Sequence, residues 1–204
     1  LNQTPFYGES GGQVGDTGRI TTETAVFVVT DTQKPLPQLV AHIGYLESGQ
    51  LASGDTVHCE VDEGDRHAIA RNHSATHLLH AILRDHLGEH VRQMGSLVEA
   101  DRLRFDFSHY EPLERDQVRA IEDAVNREVR ADHAVSAEVM TMDEARQQGA
   151  MALFDENYGD DVRVLTMGEA SMELCGGTHV DRTGDIGLFT LVEESGVAAG
   201  VRRI

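Results

Sequence analysis

Hydrophobic and polar positions change rhythm along the chain. In the first sixty residues, short β-type runs at 24–29, 38–43 and 56–61 are separated by glycines 8, 11, 12, 15, 18, 44, 49, 54 and 64. Short strands with regular turn signals predict a small β-barrel or sandwich over residues 1–64, taken as a Gly-rich β-barrel. Cys59 sits in the third run and reads as a core thiol. After residue 64 the period becomes helical. Asn72 is a plausible N-cap, Leu78, Leu79, Ile82, Leu83 and Leu87 follow at helical spacing, and Gly88 supplies a stop.

Strict alternation predicts a strand at 103–107. Pro112 opens a second predicted helix with the stripe Leu113, Val118, Ile121, Val125 and Val129. Strands are predicted at 135–139, 162–167 and 188–192. Thr141 and Glu144 form a capping-box pattern that starts a short helix between the first two of these. The expected fold class is therefore α+β, the barrel being followed by an α/β two-layer domain over residues 65–204.

Composition narrows the function. With 40% hydrophobic and 25% charged residues, the 204-residue chain can build a sizeable core. No apolar run approaches the roughly 18 residues of a membrane span, and no secretory signal is visible. The chain begins and ends abruptly, as expected of a piece of a longer protein. Two cysteines, Cys59 and Cys175, make no disulfide framework and fit a reducing, cytoplasmic setting. The net charge of −18 argues against a protein that coats nucleic acid. Yet 16 of the 17 basic residues are arginine, with Lys34 the exception, so a few directed phosphate contacts are still allowed.

Eleven histidines direct attention to metal spacing. His73 and His77 stand one helical turn apart, so both can reach one ion; His80 lies on roughly the same side. Alone, such a pair also fits a solvated helix face. The pattern differs from the HExxH helix of metalloproteases, because Ser74 replaces the glutamate that serves as general base. The stretch ELCGGTHV, residues 173–180, adds a cysteine and a histidine around two glycines. Thiolate and imidazole are the usual zinc ligands, and His73, His77, Cys175 and His179 complete a set of four. Zn2+ is favoured over copper or iron by this donor set.

Four protein ligands normally mark a structural zinc, so a staple between helix and turn is one reading. A working site is the other, with His179 the expected weakest ligand. Thr76, Gln93 and Ser96 supply uncharged groups suited to reading a hydroxyl or amine. Equally, Thr76 can bond back to its helix, and Gln93 and Ser96 can simply make a turn.

Taken together, HSATH (73–77), QMGSLV (93–98), LRFDFSH (103–109) and CGGTH (175–179) resemble the editing domain of bacterial alanyl-tRNA synthetase. TPFYGESGGQVGD (4–16) resembles its Gly-rich barrel motif, and SGVAAGVRRI (195–204) its last strand. The resemblance covers nearly the whole chain. Free-standing AlaX proteins and the editing domain of threonyl-tRNA synthetase share the His and Cys motifs.

The resemblance implies hydrolysis of seryl- or glycyl-tRNA(Ala), with the tRNA 3′ end and the remaining synthetase domains as partners. A hydrophobic pocket rejects an added hydroxyl only about a hundredfold, so errors with serine need a second site. That site must recognise the hydroxyl, a task for Thr76, Gln93 and Ser96. Gln93 or the terminal ribose hydroxyl is expected to assist the attacking water, with Thr76 and Cys175 also in the catalytic set. Gly11, Gly12 and Gln13 are expected to face the site, or else to form only a barrel turn. Arg71, Arg92 or Arg104 is expected to touch phosphate. A non-catalytic, zinc-stabilised tRNA-binding module is the alternative; a free metallohydrolase of small esters lacks a visible base.

Overall fold

A computed structural model describes residues 1–151 and 160–204. The N-terminal sheet contains β1 (Gly18–Thr21), β2 (Val26–Leu36), β3 (Leu39–Ser48) and β4 (His58–Val61). All neighbours are antiparallel, in the order β3-β2-β1-β4. Phe6, Ile20 and Val29 form its core, with Cys59 packed at the margin, where burial pushes the thiol up. The three expected strands are present. Among the described residues β3 and β4 are the edges of the ladder and do not pair with each other, so the expected barrel is not seen. Most of β3 is exposed.

Helix α1 (Glu63–Leu87) follows at once. Its N-cap is Asp62, whose carboxylate accepts from the Asp65 amide at 3.0 Å. Asn72 is therefore no cap. It lies inside the helix, and its amide donates to the carbonyls of Glu99 and Ala100. The first two turns of α1 are mostly exposed, and burial begins only at Ile69, which hides the true start from an apolar-periodicity argument. Gly88 ends the helix with φ +113°, donating to the Arg84 carbonyl at 2.9 Å.

A second sheet runs β10-β11-β6-β5, from β5 (Gln93–Val98), β6 (Leu103–Ser108), β10 (Ser195–Ala198) and β11 (Val201–Arg203). A third runs β7-β8-β9, from β7 (Val135–Thr141), β8 (Asp161–Met167) and β9 (Ser171–Leu174). Helix α2 (Arg115–Ala131) starts at the N-cap Glu114, two residues beyond Pro112, with Gln117 completing a capping box. Helix α3 (Met142–Gln147) has the Thr141–Glu144 box anticipated for it. The main core joins Leu78, Leu79 and Leu83 of α1 to Phe105 and Phe107 of β6 and to Ile121 and Val125 of α2.

The strand expected at 188–192 is absent. Asn126 takes over its hydrogen bonding: Nδ2 donates to the Phe189 carbonyl at 2.7 Å, and Oδ1 accepts the Phe189 amide at 3.0 Å. Glu122 accepts the Leu191 amide. Phe189 is buried while Leu188 and Val192 point to solvent, so the alternation is real but the partner is a helix side chain. Asn126→Ala strands both Phe189 backbone groups. It is expected to cost about 1–3 kcal/mol, measured by urea unfolding.

Candidate metal centre

Helix α1 is buried at every position from His73 to His80, so the histidines do not form a solvated face. His73 and His77 occupy successive turns of that buried segment. Cys175 directly follows β9, and the glycine turn carries the chain back to His179. One ligand atom from each of the four lies within 4.8 Å of all the others. Cys175 Sγ is 3.3 Å from His179 Nε2 and 3.5 Å from His73 Nε2. A tetrahedral zinc with ordinary bond lengths separates S and N by roughly 3.6 Å, so the spacing fits such an ion.

The outer ring nitrogens are each engaged. His73 Nδ1 donates to Gln13 Oε1 at 2.7 Å, and His77 Nδ1 donates to the Glu173 carboxylate. His179 Nδ1 meets Ser74 Oγ at 3.3 Å. Gln13 Oε1 also accepts the Thr178 amide at 2.9 Å, which fixes the orientation of its amide. A proton on Nδ1 leaves Nε2 as the lone-pair donor, the arrangement that metal-binding imidazoles use. His77 Nε2 is buried without a partner among the described residues. A buried ring nitrogen without a partner, facing a thiolate and two imidazoles, is what a divalent cation would satisfy.

Electrostatics agree. Burial alone would push the Cys175 thiol up, but hydrogen bonds from His179 and His73, with the charge of the neighbouring imidazoles, outweigh it and bring it down to about 2. Burial holds His73 low and His179 down at about 3. For His77, burial works against the charged form, yet the Glu173 carboxylate overrides it and raises the ring to about 10. Burial would raise Glu173 too, but His77 and His80 hold it down at about 2. The proton held on His77 is the one a cation would displace.

Two contacts shape the 175–179 turn. The Arg163 guanidinium donates to the carbonyls of Cys175 at 2.8 Å and Gly177 at 3.0 Å. Gly177 lies so close to His73 that an added Cβ would sit 2.2 Å from its Cε1.

A cleft of about 240 Å³ opens beside the four residues, and Thr76, Gln93, Ser96 and Gly11 line it with Tyr7 and Arg163. The Thr76 hydroxyl donates to the Asn72 carbonyl at 2.8 Å, so its oxygen remains free only to accept. The side chains of Gln93 and Ser96, both on β5, bond to no other described residue.

Gly12 and Gln13 are placed differently from expectation. Gly12 has φ +89°, and a Cβ there would meet the Ser96 carbonyl at 2.7 Å. The Val98 amide donates to the Gly12 carbonyl and Val14 donates to the Val98 carbonyl. Between these clamps Gln13 is fully buried behind His73, its Nε2 donating to Thr178 Oγ1. It backs His73 and does not line the cleft. Arg163, and none of Arg71, Arg92 or Arg104, lines the cleft; Arg104 pairs with Asp106 at 3.6 Å.

Sequence reasoning missed Glu173, Ser74 and Arg163. A signal existed for Glu173: at two residues before Cys175 in an extended run, it shares that residue's face.

Residues 1–65 match the family model described as tRNA synthetases class II (A). Residues 162–204 match the model described as the threonyl and alanyl tRNA synthetase second additional domain. Over all 204 residues the chain is 60% identical to an alanine–tRNA ligase of Methylococcus capsulatus. It is 58% identical to that of Acidithiobacillus ferridurans and 56% to that of Shewanella loihica. This chain is a homologue of one segment of the alanyl-tRNA synthetases. It spans about a quarter of the length of these relatives, 23–24%. The cysteine–histidine turn falls inside the second match, and His73 and His77 fall between the two. Among the described residues, no helix is long and apolar enough to cross a membrane.

Proposed function

We propose that this chain is the proofreading part of an alanyl-tRNA synthetase, hydrolysing the ester of serine or glycine wrongly attached to tRNA(Ala). The observation that supports this reading is a cluster of four residues able to hold a metal ion beside a cleft lined by Thr76, Gln93 and Ser96. Residues 1–64 are taken as the Gly-rich β unit and residues 65–204 as the zinc-binding deacylase unit. Partners are the 3′ end of the tRNA and the remaining synthetase domains, in the cytoplasm.

His73, His77, Cys175 and His179 would hold Zn2+. Bound there, the ion supplies Lewis acidity to a carbonyl or water oxygen. Thr76, with its own proton committed to Asn72, accepts the hydroxyl proton of a seryl group. Alanine lacks that donor and leaves a polar oxygen unpaired, a penalty that supports discrimination of about 10⁴. Gln93 and Ser96 have donors and acceptors free to orient a water against the ester carbonyl. Water adds to the carbonyl carbon, the ribose oxygen leaves, and the proton passes from water to that oxygen. Glycine carries no hydroxyl either, so its removal has to rest on a contact other than the one Thr76 makes.

The formal charge of −18 keeps the tRNA contact local, with Arg163 the cation placed at the cleft. Binding by this chain alone is accordingly weak and falls steeply with salt.

Four protein ligands also fit a non-catalytic zinc-stabilised tRNA-binding module. Incubating the zinc-loaded chain with seryl- and alanyl-tRNA(Ala) separates the two readings. Seryl ester loss is expected to exceed alanyl ester loss by at least about a hundredfold. Equal, background loss of both would leave the binding module.

A further inference from the structure

We infer that Glu173 and His80 form a positioning pair that holds His77 in the metal-binding orientation from outside the ligand set. The inference rests on the metal reading above and goes beyond its four ligands.

Glu173 is buried on β9, and its two carboxylate oxygens go to two histidines on one helix. One oxygen accepts from His77 Nδ1; the other accepts from His80 Nδ1 at 2.9 Å. His77 and His80 are three residues apart, so β9 is tied to α1 at two adjacent points. His80 is not among the residues whose ligand atoms converge. Its Nε2 is buried with no partner among the described residues, and its ring tilts against Phe105 at 5.4 Å between centroids.

A buried imidazole with one orphaned nitrogen is a poor choice for packing, since a leucine would fill the space without the desolvation cost. What a leucine lacks is the Nδ1–H donor. That donor occupies Glu173 Oε1 and leaves Oε2 aimed at His77. The carboxylate then keeps the His77 proton on Nδ1 and its lone pair on Nε2, among the other donors. The three supports differ in kind: a carboxylate behind His77, an amide oxygen behind His73 and a longer hydroxyl contact behind His179. His77 is therefore the most firmly oriented of the imidazoles, and His179 the least.

The test uses the full chain and reads metal affinity by competition with a chromophoric chelator, independently of any tRNA. Glu173→Gln keeps the shape and removes the charge. It is expected to weaken Zn2+ binding about 10- to 100-fold, the range seen for outer-shell partners. His80→Leu, which keeps bulk, is expected to weaken binding as well, whereas His80→Asn, which returns an N–H near Nδ1, is expected to restore most of it. In the metal-free chain, nitrogen NMR of His77 is expected to show loss of the Nδ1–H···carboxylate bond in Glu173→Gln. Unchanged affinity in both Glu173→Gln and His80→Leu, with the wild-type chain binding normally, overturns this inference and leaves the metal centre standing. A wild-type chain that binds no zinc overturns both together. Should His80→Leu fail to fold, the isosteric Glu173→Gln decides alone.

Discussion

Cys175→Ala is expected to lower hydrolysis of seryl-tRNA(Ala) by about a thousandfold, equivalent to about 4 kcal/mol of lost transition-state stabilisation. The thiolate is the only anionic donor among the four ligands. Its removal leaves two buried imidazoles and a half-buried one that must share one cation or repel each other's protons. The fold is expected to survive, because α1 is anchored by Leu78, Leu79 and Leu83 in the main core and not by the metal alone. Circular dichroism and thermal unfolding, run beside a single-turnover ester assay, separate the two roles. A variant that keeps its fold and retains activity within tenfold of wild type would place the chemistry elsewhere. A variant that simply unfolds would make the cluster a staple. Removing metal from the wild-type chain with a chelator is expected to reproduce the rate loss, with recovery on adding zinc.

Gly177→Ala carries the second large effect. Its new methyl would lie 2.2 Å from His73 Cε1, 2.5 Å from His73 Nδ1 and 2.7 Å from Gln13 Oε1. The turn cannot relax freely, since Arg163 grips the Gly177 carbonyl and Gln13 accepts the next amide, that of Thr178. Relief must come from His73 or Gln13, which moves a ligand or breaks its support. Overpacking of this kind costs about 1–3 kcal/mol and occasionally more. Zinc affinity is expected to fall at least about 10-fold, as for loss of an outer-shell partner. The adjacent Gly176→Ala is a sharp control, because a Cβ there meets nothing within 4 Å. Its unfolding free energy is expected to stay within about 0.5 kcal/mol of wild type. Urea unfolding and chelator competition on the two variants read both quantities. Equal behaviour of the two alanines would mean that the turn does not depend on the close approach to His73.

The two glycines of the cysteine–histidine turn thus do different things, although the sequence alone offers the same reason for both. A glycine is readable as permission for a tight turn. Which glycine is obligatory depends on what the third dimension puts against it.

The same division runs through the fold. The capping box at Thr141, the Gly88 stop and the core stripe of α2 are legible, because each is decided by residues a few positions apart. The start of α1 was not, since Asp62 caps a first segment that is polar and exposed, and apolar periodicity begins only at Ile69. The run 188–192 has strand-like alternation, but Asn126, more than sixty residues away, supplies the hydrogen bonds a strand would have made. The short strands of the glycine-rich first unit are legible in the sequence, whereas its closure into a barrel depends on edge pairing that no local pattern encodes.

At the candidate metal centre, residue chemistry by itself picked out the four residues whose donor atoms converge. His73 and His77 share a face by helical geometry, and Cys175 with His179 supplies the complementary donors. Tertiary structure alone decided everything behind those ligands. Gln13 meets Thr178 across 165 residues, and Glu173 meets His77 and His80 across 96 and 93. These contacts turned Gln13 from an expected cleft residue into a support and made Arg163 the cation at the cleft. Ligand identity follows from the intrinsic affinity of a side chain for a cation, which a sequence displays. Orientation follows from hydrogen bonds between segments distant along the chain, and those exist only once burial has removed water and brought the segments together.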